Sequence, residues 1–432
     1  MQAPGILARI VSPVLLLLSP VVPTATADEI RVEIAKPLGP PTQRACAFLH
    51  GIKAATPDDS LLAPLKIRYA HFSATGIYGL PSLFDAAVFD RLPGTGVQIA
   101  TGLSGYFNTK VPGHEGEKYY PGDGGDWASW ESIVSSTMLK VREKAPKVWW
   151  NIWNEPDNSK TFWPRDHDRF LEAWKRAYRT IRSIDPSAVI FGPSTEKYSS
   201  RYLISFLQYC KENQCVPDYL SWHELTRFEQ HVRQNIDEMR HWCAENGIII
   251  KGVNINEYCG PSGQYLPAAA VGFVSALEKA KVAYACKAVW TKPGILNGAA
   301  TPDGKQPTSL WWVYKSYSDA TGMLYDVTET KDIRAIAAID KKTLSTRVLI
   351  GNQSKGELPV NLVLQDLSKA GFGPKVAVRR RLIPNTSEKA LEAPQALEDL
   401  SVSAENDALK VDIGVLPGYG AMEVILLGEE AK

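Results

Sequence analysis

The sequence lacks any excess of charge of one sign. Its 48 basic residues stand against 47 acidic ones, a net charge of +1, so there is no overall field to hold a phosphate backbone or an anionic membrane. Cysteine is scarce. The six present (Cys46, Cys210, Cys215, Cys243, Cys259 and Cys286) are too few for a disulfide scaffold and contain no CxxC pair for zinc. Long apolar runs are missing too. The longest, 10–22, includes two prolines and falls short of the roughly 18 apolar residues that a membrane-spanning helix needs. The seven histidines form neither HExxH nor HxH, so no metal is implied, and Asp123 with Asp126 in a glycine-rich loop is only a faint calcium pattern. These absences argue against nucleic acid as a partner, against a membrane span and against a metal enzyme.

What is present is ordinary for a globular chain, with 44% hydrophobic and 22% charged residues, apart from 12 Trp and 17 Tyr. Flat amphipathic rings in such number suit stacking on ligand faces as well as packing, a lean toward carbohydrate. Arg9, the apolar run 10–22 and the small-residue site Ala25-Thr26-Ala27 have the layout of a secretory signal, with cleavage expected after Ala27 and the mature chain secreted or periplasmic. Cys210 and Cys215 bracket a short polar loop that suits a bridge. Cys46 and Cys286 could meet if the first and last strands of a barrel are neighbours, and the connectivity stays open.

From about 45 to 320, short apolar runs alternate with longer helical stretches, a βαβα rhythm. Candidate strands are 45–52, 65–72, 96–103, 147–154, 188–194, 218–225, 251–259 and 286–291. The clearest helix spans 166–184, with Phe170, Trp174, Ala177, Tyr178 and Ile181 at helical spacing and Asp185-Pro186 as its stop. Eight units predict a closed (β/α)₈ TIM barrel, with an open doubly wound sheet as the alternative. The first βα turn carries no GxGxxG, so a dinucleotide gains no support and no cofactor is expected. After Tyr325 the pattern becomes period two, in runs at 333–340, 346–352, 359–367, 375–382, 408–414 and 419–428, which read as an antiparallel β-sandwich. The expected organisation is a signal over 1–27, a catalytic barrel over 28–324 and a sandwich over 325–432, to which 29–35 can add a strand. The sandwich shows few exposed aromatics, so it is expected to pack on the barrel rather than to bind sugar itself.

Chemistry in such a barrel sits at the carboxyl ends of the strands. Glu155 ends the fourth strand inside 150–158 (WNIWNEPDN), where Pro156 stops it and alternation puts Trp149 and Trp153 on the same side. Glu257 ends the seventh inside 253–260 (VNINEYCG). A Glu beside a Pro is by itself usually a loop charge. Two carboxylates converging across a barrel mouth, each preceded by Asn (Asn154 and Asn256) and set among Trp, are what glycoside hydrolysis requires: an acid for the leaving oxygen and a carboxylate for the anomeric carbon. His50, Arg68 and His71 fall at the ends of the first two strands, where polar groups can hold substrate. Arg68 could equally pair with a buried carboxylate. The long aromatic, glycine-rich loop 105–127 suits a cleft wall.

The WNIWNEPDN segment strongly resembles the strand-four acid/base signature of the clan A retaining glycosidases, and with a following sandwich it is similar to glycoside hydrolase family 39. The resemblance extends to CAFLHG (46–51), IFGPST (190–195), LSWHEL (220–225), INEYCG (255–260) and VWTKPG (289–294), most of 45–320. It implies Glu155 as acid/base, Glu257 as nucleophile, Asn154 as partner of the sugar 2-hydroxyl, and His223 and Trp290 as parts of the site, with Tyr258 a further substrate contact. It departs from the family where Asn256 stands before Glu257 in place of Thr or Ser, and where Arg68 and His71 are offset. Double displacement with retention would set the carboxyls about 5–5.5 Å apart and give Glu155 the higher pKa. The substrate would be an oligo- or polysaccharide. A non-catalytic glycan-binding protein on the same barrel and a transglycosylase are the alternatives, and the sugar, linkage, endo or exo action and oligomeric state are left open.

Overall fold

The computed structural model describes residues 27–74, 80–85, 88–91, 98–104, 111, 113–114, 118–145 and 147–430. Strand β1 (Asp28–Gly39) is followed by the barrel strands β2 (Tyr69–Ser73), β3 (Gln98–Gly102), β4 (Val148–Asn151), β5 (Val189–Thr195), β6 (Tyr219–Glu224), β7 (Gly252–Tyr258) and β8 (Ala285–Lys287). Helices α1 (Asp59–Leu62), α2 (Val88–Arg91), α3 (Ala128–Lys144), α4 (His167–Ile184), α5 (Ser200–Glu212), α6 (Val232–Glu245), α7 (Pro267–Lys279) and α8 (Ser309–Ser318) lie between and after them. The remaining strands are β9 (Met323–Thr328), β10 (Ile333–Asp340), β11 (Ser345–Asn352), β12 (Leu358–Gln365), β13 (Phe372–Ile383), β14 (Gln395–Ala396), β15 (Leu400–Ser403), β16 (Ala408–Leu416) and β17 (Ala421–Glu430).

Strands β2 to β8 pair in parallel and in chain order, a TIM barrel rather than an open doubly wound sheet. The first position is filled by residues 44–50 without a regular strand. Ala285 and Lys287 donate to Arg44 and Ala47, Leu49 donates back to Lys287, and His50 donates to the His71 carbonyl, which closes the ring. His50 turns to φ 50°, and this left-handed kink stops the ladder. Alternation along this segment sends Ala47 and Leu49 into the barrel, and Cys46 and Phe48 out toward the helices. Inside, Trp149 stacks on Tyr219 at 4.5 Å and Tyr69 on Tyr284 at 5.4 Å, so the lower barrel is filled by flat rings. Helix α4 begins one residue later than its periodicity suggests, because the Asp166 side chain caps the Arg169 amide at 2.8 Å.

The second sheet runs β14-β13-β17-β11-β10-β9-β1-β12-β16, antiparallel except where β1 lies parallel to β12. It folds around one core, in which Ile30, Leu362 and Val411 meet Val348, Val378 and Val424. Strands β9, β14 and β15 were not anticipated; the last two are short and exposed on most positions, so they carry little alternating signal. The sheet is joined to the barrel through α7. Residues 267–278 of that helix are buried on every side, its sequence being apolar all round. Gly351 on β11 abuts Ala268 and Val271, leaving no space for a side chain, and Lys279 reaches Asp326 and Glu329 of the sheet side.

The six cysteines are free, buried thiols, which corrects both expected pairings. Cys210 and Cys215 are neighbours, the Cys215 amide donating to the Cys210 carbonyl at 2.9 Å. Cys46 faces the helices, whereas Cys286 belongs to the inner barrel layer, so adjacent strands present their thiols to opposite faces.

A chain ending at residue 321 would expose the sheet-facing side of α7, where each large apolar side chain loses ~1.5–3 kcal/mol of burial. Such a chain is expected to aggregate on expression. A soluble monomer with native circular dichroism, seen on size-exclusion chromatography, would refute that dependence.

Candidate active site

The upper mouth of the barrel holds a cavity of about 350 Å³ lined by both glutamates. A larger one, about 640 Å³, lies at the other end among Tyr219, Lys251, Gly252 and Ala283, where strands begin. Barrel chemistry belongs to the carboxyl ends of strands, so the smaller cavity is the site.

Glu155 follows β4 after the chain has turned out of the sheet. Its φ of 49° is left-handed, its amide donates to the Ser194 carbonyl at 2.8 Å, and its carbonyl accepts from the Asn158 amide at 3.0 Å. Backbone held in this region costs on the order of 1–3 kcal/mol and persists where surrounding contacts over-determine it. Asn158 Nδ2 donates to Glu155 Oε2 at 3.0 Å and to Glu196 Oε1 at 3.3 Å, while Asp157 Oδ1 takes the Glu196 amide at 2.7 Å. The turn after β4 is thereby tied to the loop after β5.

Between the two glutamates stands His223 of β6, wholly buried. Its Nδ1 donates to Glu155 Oε1 at 3.1 Å, and its Nε2 lies 3.7 Å from Glu257 Oε1. One ligand-type atom from each of the three residues falls within 4.8 Å of the others, the one such cluster among the described residues. That spacing could hold a cation. It also brings one oxygen of each glutamate within 4.8 Å of the other, short of the ~6.5–9.5 Å that leaves room for an attacking water.

Burial pushes the Glu257 carboxyl up to about 7; the His223 charge opposes this and the Glu155 charge adds to it. Burial also works against a charge on His223, yet the Glu257 charge and the bond to Glu155 prevail and raise its pKa. The glutamate expected to be the ionised one is therefore the one that burial raises, a correction to the sequence reading. With His223 charged, both ring N–H groups donate, and the Asn256 amide, 3.2 Å from Nε2, serves best with its oxygen turned inward. That oxygen has no partner otherwise among the described residues.

His50 and His71 line the cavity and are neutral. Burial lowers His50 to about 4; it lowers His71 to about 3, with the charges of His50 and His223 adding. His50 Nδ1 sits 3.1 Å from the Pro81 carbonyl, whereas His71 Nδ1 and the Ser73 hydroxyl have no partner among the described residues. Buried polar atoms without partners at a cavity wall are suited to ligand hydroxyls. Asn154 and Trp290 also line the cavity, Trp290 being 43% exposed with its Nε1 donating to the Cys259 carbonyl at 2.8 Å.

Two predicted contacts lie elsewhere. Arg68 is exposed and precedes β2, at the end of the strand away from the site. Tyr258 points outward by alternation, its hydroxyl donating to the Ala45 carbonyl at 2.7 Å and meeting Tyr314. Trp153 is likewise displaced. Strand β4 ends at Asn151, so alternation no longer holds, and the ring packs edge-on to Trp130 and Trp163. Asn151, Asn158, Phe162 and Glu196 were missed. Asn158 was within reach, standing three residues past Glu155 in the same motif. In loop 105–127, residues 105–110, 112 and 115–117 lie outside the described residues. Asp123 is engaged by Arg165 and Arg169.

Residues 110–251 match the family described as Glycosyl hydrolases family 39. The barrel resembles glycoside hydrolase family 39. The match covers the segment from the loop after β3 up to β7, which includes the turn that carries Glu155. Over 340 residues the chain is 25% identical to a 3-O-alpha-D-galactosyl-alpha-L-arabinofuranosidase of Bifidobacterium longum subsp. longum, covering 69% of this chain and 30% of that protein. Over 347 residues it is 26% identical to a 3-O-beta-L-arabinopyranosyl-alpha-L-arabinofuranosidase of Bifidobacterium pseudocatenulatum, covering 71% and 35%. The chain thus spans about a third of these relatives' lengths. The solved structure of N2152 from Neocallimastix frontalis aligns over 94% of this chain and 100% of its own, with a TM-score of 0.80 and 23% identity, a shared fold.

A carboxylate that attacks must be ionised, so with Glu257 in that role kcat/KM is expected to rise with pH through an acidic limb near the Glu257 value of about 7. A profile flat from about pH 5 to about pH 8 would contradict this. In His223→Ala the positive charge holding Glu257 down is gone, so the acidic limb should move to higher pH. A limb that stays in place would show that His223 does not set the titration.

Proposed function

We propose that the chain is a retaining glycoside hydrolase acting on O-glycosidic bonds of a pentose-containing glycan, with Glu155 as acid/base and Glu257 as nucleophile. The observation that carries this reading is the cluster of Glu155, His223 and Glu257 within 4.8 Å at the carboxyl ends of the barrel strands. Glu155 gives its proton to the leaving oxygen while the Glu257 carboxylate attacks the anomeric carbon and forms a glycosyl-enzyme. Glu155 then takes a proton from water, which displaces Glu257 and returns the original configuration. Asn158 and His223 hold the two Glu155 oxygens, so the acid is fixed at the bond it protonates. Charged His223 adjoins both carboxylates and balances whichever is ionised at each step.

The arabinofuranosidase names of the two Bifidobacterium relatives make α-L-arabinofuranosyl bonds the first substrates to test. Export rests on the signal-like stretch 1–27, and a mature protein beginning at Asp28 by amino-terminal sequencing would support it.

The decisive measurement is turnover of aryl α-L-arabinofuranosides, β-D-xylosides and related glycosides, with product configuration followed by proton NMR. Glu257→Ala is expected to be silent. Glu155→Ala should lose about 10²–10⁴-fold on sugars with poor leaving groups and recover with azide, giving a glycosyl azide of retained configuration. Inverted product, or variants as active as the parent, would end the proposal.

A further inference from the structure

A second cavity, about 630 Å³, opens beside the first, and Glu196, Leu225 and Trp290 line both. It reaches Glu155 through the residues that line it. Both glutamates line only the smaller cavity, but of the residues that line the second, Glu196 is joined to Glu155 through Asn158 and His223 donates to Glu155. In the proposed reaction the leaving oxygen must lie against Glu155, so the sugar carried on that oxygen extends toward this second cavity. Its walls combine the rings of Tyr198, Phe228 and Trp290 with polar Gln230 and His231, the mix of stacking faces and hydrogen-bonding groups that a sugar ring uses.

The outer wall is the loop 225–231 between β6 and α6, and it is gripped from the other domain at three consecutive residues. The Arg227 guanidinium lies 4.5 Å from the Tyr419 ring centre, and the Phe228 ring is 6.4 Å from the same ring. Glu229 is buried: its Oε1 accepts from Arg334 Nε at 2.6 Å and its Oε2 from Gln353 Nε2 at 2.7 Å. Gly272 of α7 leaves the space this requires, since a Cβ there would come within 2.0 Å of Glu229 Oε2. Arg334, Gln353 and Tyr419 all belong to the C-terminal sheet or its turns.

We infer that the second cavity is a leaving-side sugar subsite whose wall is set by the C-terminal sheet, with Arg334, Gln353 and Tyr419 as positioning residues. This rests on the hydrolase reading above and deepens it: the sheet shapes the part of the site that receives the departing sugar. A purely structural clamp would alter stability alone, whereas a positioning clamp separates substrates that fill the cavity from those that do not.

The test uses the full chain and the variants Gln353→Ala, Tyr419→Leu and Arg334→Gln. Gln353→Ala removes one hydrogen bond and keeps the ion pair, so it reports even where the Arg334 variant fails to fold. The aryl probes are 4-nitrophenyl α-L-arabinofuranoside and 4-nitrophenyl β-D-xyloside, and the sugar probes are arabinotriose and xylotriose. The expected result is a loss of about ten-fold in kcat/KM on the trisaccharide, mainly through KM, with aryl glycoside hydrolysis within about two-fold of the parent. Equal losses on both substrate types, or no loss on either in a folded variant, would overturn the subsite. Parent enzyme silent on all four probes would refute the hydrolase reading for these sugars and the subsite with it. Parent active on aryl glycosides but indifferent to the trisaccharides would leave hydrolysis standing and remove the subsite.

Discussion

His223 is buried without solvent contact, and the two groups it faces are carboxylates. A lone charge in such surroundings is strongly unfavourable, so the His223 cation and an ionised carboxylate beside it stabilise one another. Moving either glutamate by an ångström or two would leave a buried charge unmatched. The left-handed backbone at Glu155, the Asn158 bridge and the Asn256 amide beside Nε2 can all be understood as means of keeping the three groups in register. Below them, the stacked Trp149, Tyr219, Tyr69 and Tyr284 rings fill the barrel, so the dry environment that makes these charges interact strongly is built from the same strands.

The C-terminal sheet extends this constraint outward. Helix α7 is apolar on all sides and lies between barrel and sheet, which makes the two layers one packing problem. Gly351 and Gly272 are small where the sheet comes closest, one for backbone contact with α7 and the other for the Glu229 carboxylate. A domain without a cavity-lining aromatic of its own can still bear on substrate through the loop it holds.

Much of this was legible in the chain. Strand and helix periodicities placed seven of the barrel strands and the long α4 helix, because a buried parallel strand is a short apolar run and an amphipathic helix repeats every three to four residues. The glutamates could be picked out because each closes a strand at the end where barrel chemistry collects. Alternation failed where a strand ended early. Trp153 was assigned to the wrong side since β4 stops at Asn151, and Arg68 was placed in the site although it precedes its strand. Tyr258 was read as a neighbour of the nucleophile in sequence, and neighbours in a strand face opposite ways.

The sequence by itself determined the barrel, the following sheet and the two carboxylates, since all three follow from local patterns of apolar spacing and strand ends. Only the tertiary structure decided that His223 lies between the glutamates, that burial raises Glu257, and that sheet residues more than 100 positions away grip the loop beside the acid. Those properties depend on which groups share a dry volume. Distance and solvent exclusion are set by packing across the whole chain, and no local stretch of residues encodes them.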